Sequence, residues 1–546
     1  MGKKSTIIGL SLVAGLTTAI LVPAVYAEPP QAPPSSDGAP GQGDPNGTLG
    51  GNSTNTAVTH SGVLTITEDM AMDAGTYEST GDSENAILMT AGTVTLTNPT
   101  ITKTGAADGD NADFYGTNAA VFVSGGTLNI TGGTLTTDGA HANGFFAYGT
   151  GVLNISNATV HTKANNSGAI MVTGGGQLTA TYLTATTEGN SSAPIRSDRG
   201  GGTMNIEGGT YTSHGVGSPV IYSTANVNVS KATLESTVSE GVVIEGKNSV
   251  SLDTVEMIAN NVQHNGKSET YKGVFIYQSM SGDADEGVGS FSAKNSKLTT
   301  KNGDSFFITN TTAEINLENT VLVNNSGDFL RAQAGGWGNT GANGGVVTLT
   351  AKQQEIKGNI VLDNISSLEM RMEDDSFYQG VINGDNTAAN VKLSLSADSV
   401  IVLDGDSYVS AVESDLNHTN IYANGHKLYI NGVAADINEA TPPTGRKTET
   451  VFQSTEQENV QKETETVDDY STLGFILAAA GSFLVLVVGG IIIARCAAKC
   501  GKTGKSQNGS QNLDKINSVI ADTAIEDVAD GITADKGGQE KGPDAQ

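Results

Sequence analysis

Short runs in which apolar and polar residues alternate recur along the chain at a nearly fixed spacing: Val94-Thr95-Leu96, Leu128-Asn129-Ile130, Leu153-Asn154-Ile155, Leu178-Thr179-Ala180, Met204-Asn205-Ile206, Val227-Asn228-Val229, Val250-Ser251-Leu252, Phe291-Ser292-Ala293 and Ile315-Asn316-Leu317. Alternation with a period of two predicts a strand with one face buried. A repeat of about two dozen residues predicts that such strands stack as a solenoid. In these runs the apolar residues point inward, and Asn129, Asn154, Asn205, Asn228 and Asn316 point outward.

Each repeat predicts two further strands. A more apolar one precedes the alternating run, as in Ala120-Val121-Phe122-Val123, Phe145-Phe146-Ala147-Tyr148, Val220-Ile221-Tyr222 and Phe306-Phe307-Ile308-Thr309. A shorter one follows, centred on Leu135, Val160, Tyr211 and Leu234, after turn pairs such as Gly132-Gly133, Asn157-Ala158 and Gly208-Gly209. The fold class expected is all-β: a right-handed parallel β-helix with three strands per coil and about a dozen coils. Its length would be on the order of 60 Å. From Val346 to Val433 the motif weakens, which predicts narrower terminal coils that cap the open end.

The flanks read differently. Lys3 and Lys4, an apolar stretch from Ile7 to Val22 and Val25-Tyr26-Ala27 predict a signal peptide over 1–27. Residues 28–60 form a Pro- and Gly-rich leader, 61–435 the β-helix, and 436–470 an acidic Thr- and Glu-rich stalk. The uncharged run at 471–494 has the length of a transmembrane helix. Arg495, Lys499, Lys502 and Lys505 after it place the tail, 495–546, in the cytoplasm. The expected location is the cell membrane, single-pass type I, with the large part outside. Thr441-Pro442-Pro443-Thr444-Gly445 is similar to a wall-sorting signal with Thr in place of the leading Leu, but lies too far before the apolar run.

Composition narrows the partners. Of 546 residues, 58 are Asp or Glu and 29 Lys or Arg, a formal charge of −29. Such a field repels phosphate, so nucleic acid is not an expected partner. The two cysteines, Cys496 and Cys500, follow the apolar run, so no disulfide is expected in the exported part.

Candidate chemistry lies where the repeat is irregular. Aligning the first strands puts Val123, Tyr148, Val172, Arg196, Tyr222, Glu245, Tyr277 and Thr309 on one outward ladder, a face suited to sugar stacking or simply an aromatic ladder that packs the sheet. Arg196, Asp198 and Arg199 would clamp an acidic sugar or neutralise one another. Lys247 and Trp337, the only tryptophan, complete the candidate ligand-binding set. Two acidic loops, with Asp108, Asp110 and Asp113, and with Asp283, Asp285 and Glu286, place carboxylates where Ca2+ could be held, although neither has the EF-hand pattern. No catalytic residue stands out: the histidines show neither a nucleophile partner nor metal spacing. Arg196, Asp198, Glu245 and Lys247 are the nearest approach to a polysaccharide lyase constellation. Thr93-Val94-Thr95 is not continued as a Thr-x-Thr array in the next coils, which sets ice binding aside. Departures from the repeat cluster at 102–117, 197–202, 258–289 and 332–345.

The units Asn118-Ala119-Ala120-Val121, Ile195-Arg196-Ser197-Asp198-Arg199-Gly200-Gly201-Gly202, Val243-Ile244-Glu245-Gly246-Lys247-Asn248 and Tyr277-Gln278-Ser279-Met280-Ser281-Gly282-Asp283-Ala284 resemble segments of right-handed β-helix, adhesin-like surface proteins of gut-type Gram-positive bacteria. The resemblance spans roughly 60–435 and implies the pectate-lyase-like superfold, an outward-facing location and binding to glycans or a neighbouring cell. It implies no catalytic residue. The expected function is therefore adhesion through a β-helix face, with a polysaccharide lyase or hydrolase and a structural surface-layer component as alternatives.

Overall fold

The computed structural model describes residues 58–448 apart from 73 and 415, together with residues 450 and 452. The expected signal peptide, transmembrane segment and tail lie outside the described residues, as does most of the leader. Among the described residues no helix is long and apolar enough to cross a membrane.

Strands dominate, and nearly all pair in parallel. A 12-stranded sheet runs from Gly62–Ile66 through Asn85–Met89, Val121–Val123 and Phe145–Tyr148 to Ile360–Leu362; each neighbour is the corresponding strand of the next repeat. A 22-stranded sheet holds the second and third strands. This order is compatible with a parallel β-helix, in which each turn lays one strand onto each stack. The alternating second strand sets the register: Val94 pairs with Leu128, Leu128 with Leu153, Leu153 with Leu178, and Leu178 with Met204. That apolar column continues without a break through Ile315, Leu349, Met370 and Leu393 to Val412. The weakening expected after Val346 is thus a shortening of coils, with register retained. Leu428–Ile430 and Val433–Ala434 pair antiparallel and close the end.

The turn between the second and third strands has a local cause. At least one residue in each of these turns has positive φ, including Asn98, Gly132, Asn157, Tyr182, Gly208 and Lys231. Asn and Gly tolerate that conformation best. At Gly133 space is limiting as well, since a Cβ would lie 2.3 Å from the Pro99 carbonyl oxygen. The corner lets the third strand re-enter the sheet with Leu135, Val160, Tyr211 and Leu234 buried.

The outer faces of the second and third stacks are regular and polar. The Asn154 amide donates to Asn129 Oδ1 (2.9 Å), and Asn228 to Asn205 Oδ1 (3.0 Å). On the third stack Thr100, Thr134, Thr159, Thr184 and Thr210 are in register and exposed. Beside them run Thr102, Thr136, His161, Thr186 and Thr212. A Thr-x-Thr array therefore exists on the third strand, where the second-strand pattern gives no hint of it.

The described start of the expected stalk lies against earlier coils. Asn438 bridges to Tyr422, and Arg446 lies back against earlier coils: its Nε donates to the Asp375 carbonyl (3.0 Å) and its backbone N–H to Glu355 (3.4 Å). Thr448 N–H donates to Asp375 Oδ2 (3.2 Å). The described residues of this stretch thus form a strap along the coils, held by the Arg446 side chain.

Candidate functional site

The outer face of the first stack differs from the other two. Its central outer column runs Leu88, Phe122, Phe146, Met171, Arg196, Tyr222, Val243, Phe275 and Phe307, and apart from Tyr222 all are buried. Outward residues become buried only when something covers them. The cover is made of the irregular segments, and contacts tie them together.

Residues 104–118, with the short helix Asp110–Tyr115, lie over the early coils. The Arg199 guanidinium stands 3.9 Å above the Phe114 ring, and its Nε and NH2 donate to Asp283 Oδ1 at 3.1 and 2.7 Å. One side chain thereby joins the corner at 197–202 to the loops at 104–118 and 278–287. Trp337, from 333–344, packs on Tyr277 and Phe275 with ring centroids 5.0 and 5.3 Å away. The Asn310 amide donates to the Gln278 carbonyl (2.7 Å), and a Cβ on Gly336 would lie 2.6 Å from Lys267 Cβ. All four irregular segments noted in the sequence therefore converge on one face.

Beneath them runs a continuous polar network. His141 Nδ1 is 3.0 Å from Asp113 Oδ2, and Asp113 Oδ1 is 3.7 Å from Arg196 NH1. Arg196 NH2 donates to Asp198 Oδ2 (3.1 Å) and NH1 to the Asn166 carbonyl (3.3 Å). The Arg199 N–H donates to Asp198 Oδ1 (3.0 Å). Asp283 Oδ2 accepts from Ser281 Oγ (2.7 Å), which lies 2.7 Å from Ser279 Oγ. The Ser279 hydroxyl reaches Glu245 Oε1 in a short hydrogen bond. Tyr222 and Tyr277 both donate to Glu245 Oε2, at 2.7 and 2.9 Å.

Burial governs the electrostatics. Arg196 is 8% exposed, Asp198 5% and Glu245 1%. Burial pushes the Asp198 carboxyl up to about 7; Arg196 pulls it down, but Asp283 and Asp113 add to the rise. Burial lowers the Arg196 guanidinium while Asp113 and Asp198 raise it, and the net direction is upward, so it stays charged. Burial, then Glu245, raises the Tyr222 and Tyr277 hydroxyls well above their ordinary range, which keeps both as donors.

The single ladder expected from the sequence divides over three columns, two outward and one inward. Arg196 pairs with Met171 and Tyr222, whereas Tyr222 pairs with Val243 and Glu245 with Tyr277, then Thr309. Tyr148 pairs with Thr173, and Val123 and Val172 point into the core. The physical reason is that these strands are apolar on both sides once covered, so no alternation fixes their phase. Tyr148 sits half-buried against Tyr115 and Phe122. Lys247 is exposed beside the 278–287 loop, where its N–H donates to the Asp285 carbonyl (2.8 Å).

Of the acidic residues considered for Ca2+, Asp113 faces His141 and Arg196, and Asp283 faces Arg199. Asp108, Asp110, Asp285 and Glu286 are exposed. Among the described residues no group of three or more His, Cys, Asp or Glu side chains could hold a metal ion. His141, Phe114, Ser279 and Ser281 are the members that sequence reasoning misses. The position of Phe114, Ser279 and Ser281 inside interruptions of the repeat is the signal for those three, and His141 has none.

A second buried cation lies nearby. Lys272 is fully buried, with Nζ 3.3 Å from Glu240 Oε1, donating to the Thr270 carbonyl (2.9 Å) and to Ser268 Oγ, and 4.5 Å from the Phe275 ring centre. Each of its three hydrogens has an acceptor, so it serves to anchor the 260–271 loop. No family model matches the chain, and no curated protein or solved structure matches it.

Proposed function

We propose that the chain is a membrane-anchored cell-surface protein whose right-handed parallel β-helix binds a glycan on the loop-bearing face of its first stack. The observation that carries this reading is the convergence of the four irregular segments on one face, while among the described residues the other two stacks carry no such insertions. Insertions on a solenoid cost little stability, and loops on a rigid scaffold are where binding residues collect. The right hand follows from the strong preference of parallel crossovers. The membrane location rests on the charge-free run at 471–494 and the basic residues after it.

The polar groups suit a neutral sugar better than an acidic one. Asp113, Asp198, Asp283 and Glu245 outnumber Arg196 and Arg199, and both guanidinium groups already hold carboxylates. Trp337 offers a half-buried ring, and Lys247 and Arg199 both contact the 278–287 loop beside Tyr277. Asp198 and Glu245 are occupied by internal partners, which favours binding over hydrolysis or lyase chemistry in the covered state. A glycan array probed with the full-length protein in detergent tests the reading. Binding that falls at least about tenfold in Trp337→Ala, which corresponds to about 1.4 kcal/mol, supports it. Binding unchanged in Trp337→Ala and Lys247→Ala, or new unsaturated or reducing ends in the glycan, overturns it.

A further inference from the structure

The loop that carries Trp337 is held from below by one polar side chain. Between Gln333 and Gly344 only Asn343 is buried, and the tip at 338–342 is exposed throughout. Asn343 stands two residues before the strand Gly345–Lys352 and is 4% exposed. Its Nδ2 donates to the carbonyl oxygens of Gly335 (2.9 Å) and Trp337 (2.8 Å). Two carbonyl oxygens accept only from the nitrogen end of a carboxamide, so its neighbours fix its orientation. Its Oδ1 is buried and meets no partner among the described residues. A buried side chain that leaves its acceptor unmet is retained for its donors. The Asn343 carbonyl in turn accepts from the Asn310 N–H (2.9 Å) and the Thr309 hydroxyl (3.2 Å), which fastens it to the preceding coil.

The backbone around the tryptophan lies correspondingly close to its support. A Cβ on Gly335 would be 2.9 Å from Thr309 Oγ1. One on Gly338, whose φ is +75°, would be 2.1 Å from Asn310 Oδ1. Asn310 is itself anchored, since its amide donates to the Gln278 carbonyl. Gly335-Gly336-Trp337-Gly338 reads as a flexible run, yet its backbone rests on fixed groups. The indole is the one ring it presents, edge-on to Tyr277 and tilted on Phe275.

We propose that Asn343 is the positioning residue of the glycan-binding face: by holding the carbonyls of Gly335 and Trp337 it sets the Trp337 ring in place before a ligand arrives. Asn343 lies beneath the loop backbone and acts through the ring. A ring already in its bound place loses less freedom on binding, which is worth about three- to tenfold in affinity. This inference rests on the glycan-binding reading for that effect on affinity. The placement of the ring is measured without a glycan.

Trp337 is the chain's single tryptophan, so its fluorescence reports the ring directly. Asn343→Asp keeps the shape of the side chain and removes both donors. Asn343→Ala removes them without adding a charge, and decides the matter where the Asp variant does not fold. In full-length protein the expected result for both is emission shifted to the red, stronger quenching by acrylamide, and glycan binding weaker by about three- to tenfold. Ser366→Ala removes a hydrogen bond to the Gly345 N–H of the same coil and should leave the emission as in the wild type. Unchanged emission and quenching in the Asn343 variants overturns the inference, and so does an equal shift in Ser366→Ala, since any loosening of the coil would then move the ring. Failure of both Asn343 variants to fold also overturns it, because Asn343 would then support the coil and not the ring. A wild type that binds no glycan sinks the glycan reading alone, and the emission shift still decides whether Asn343 places Trp337.

Discussion

The second and first stacks are built by the same coils, yet they solve opposite problems. In the second stack the outward residues are exposed or half-buried, so most side chains are polar, and neighbours such as Asn129 and Asn154 pair across coils. In the first stack the outward residues are roofed by loops. There, aromatic rings fill the early and late coils, and a buried ionic network fills the middle between Arg196 and Tyr277. The regular face can lose a residue cheaply. The roofed face cannot, because each charge in it was desolvated on the condition that its partner be present.

Arg196→Ala breaks this comparison most sharply. It leaves Asp113 and Asp198 buried without their guanidinium, and urea unfolding should show a loss of about 3–5 kcal/mol. Leu178→Ala, in the interior column that both faces share, should cost about 2–5 kcal/mol by the same measurement. Asn154→Ala on the open ladder should cost no more than about 1 kcal/mol. A cost for Asn154→Ala equal to that of Arg196→Ala would remove the distinction between the faces.

The pH response sharpens the same contrast. The folded pKa of Asp198, about 7, lies above its ordinary 3.8, so between these values the folded chain holds a proton that the unfolded chain releases. Its contribution is therefore fully present below about pH 3.8 and is lost as pH rises through about 7. Measured as the difference between wild type and Asp198→Asn, the stability advantage of the wild type should shrink over that window. A difference that is constant with pH would mean that Asp198 titrates normally.

How much the sequence discloses follows the same division. Where one face meets water, alternation fixes both strand and phase, and the column from Val94 to Ile315 is read without error. Where both faces are covered, as in Val121-Phe122-Val123, the run still reads as a strand but its phase is lost. That is why the aligned ladder mixes Arg196 and Tyr222 with Glu245, although the register sets them in different columns. The repeat does mark 102–117, 197–202, 258–289 and 332–345 as departures, and these segments do meet. What it cannot supply is the partner of each charge. Arg199 and Asp283 are 84 residues apart, and nothing local to either indicates the other. The strap at Arg446 is hidden for the same reason, being set by Asp375 and Glu355 on coils far earlier in the chain. The threonine array on the third stack was legible in Thr100, Thr134, Thr184 and Thr210, but only once register tied those strands together.

The central claim is that ligand binding belongs to the roofed face and not to the open ones. Its most direct test compares two variants of the full-length protein on one glycan array: Trp337→Ala on the roofed face, and a Thr184→Ala, Thr186→Ala, Thr210→Ala, Thr212→Ala quadruple change on the open third stack. The account predicts that the first loses binding by about tenfold or more, close to 1.4 kcal/mol, while the second binds as the wild type does. Binding kept by the tryptophan variant and lost by the threonine variant would contradict it.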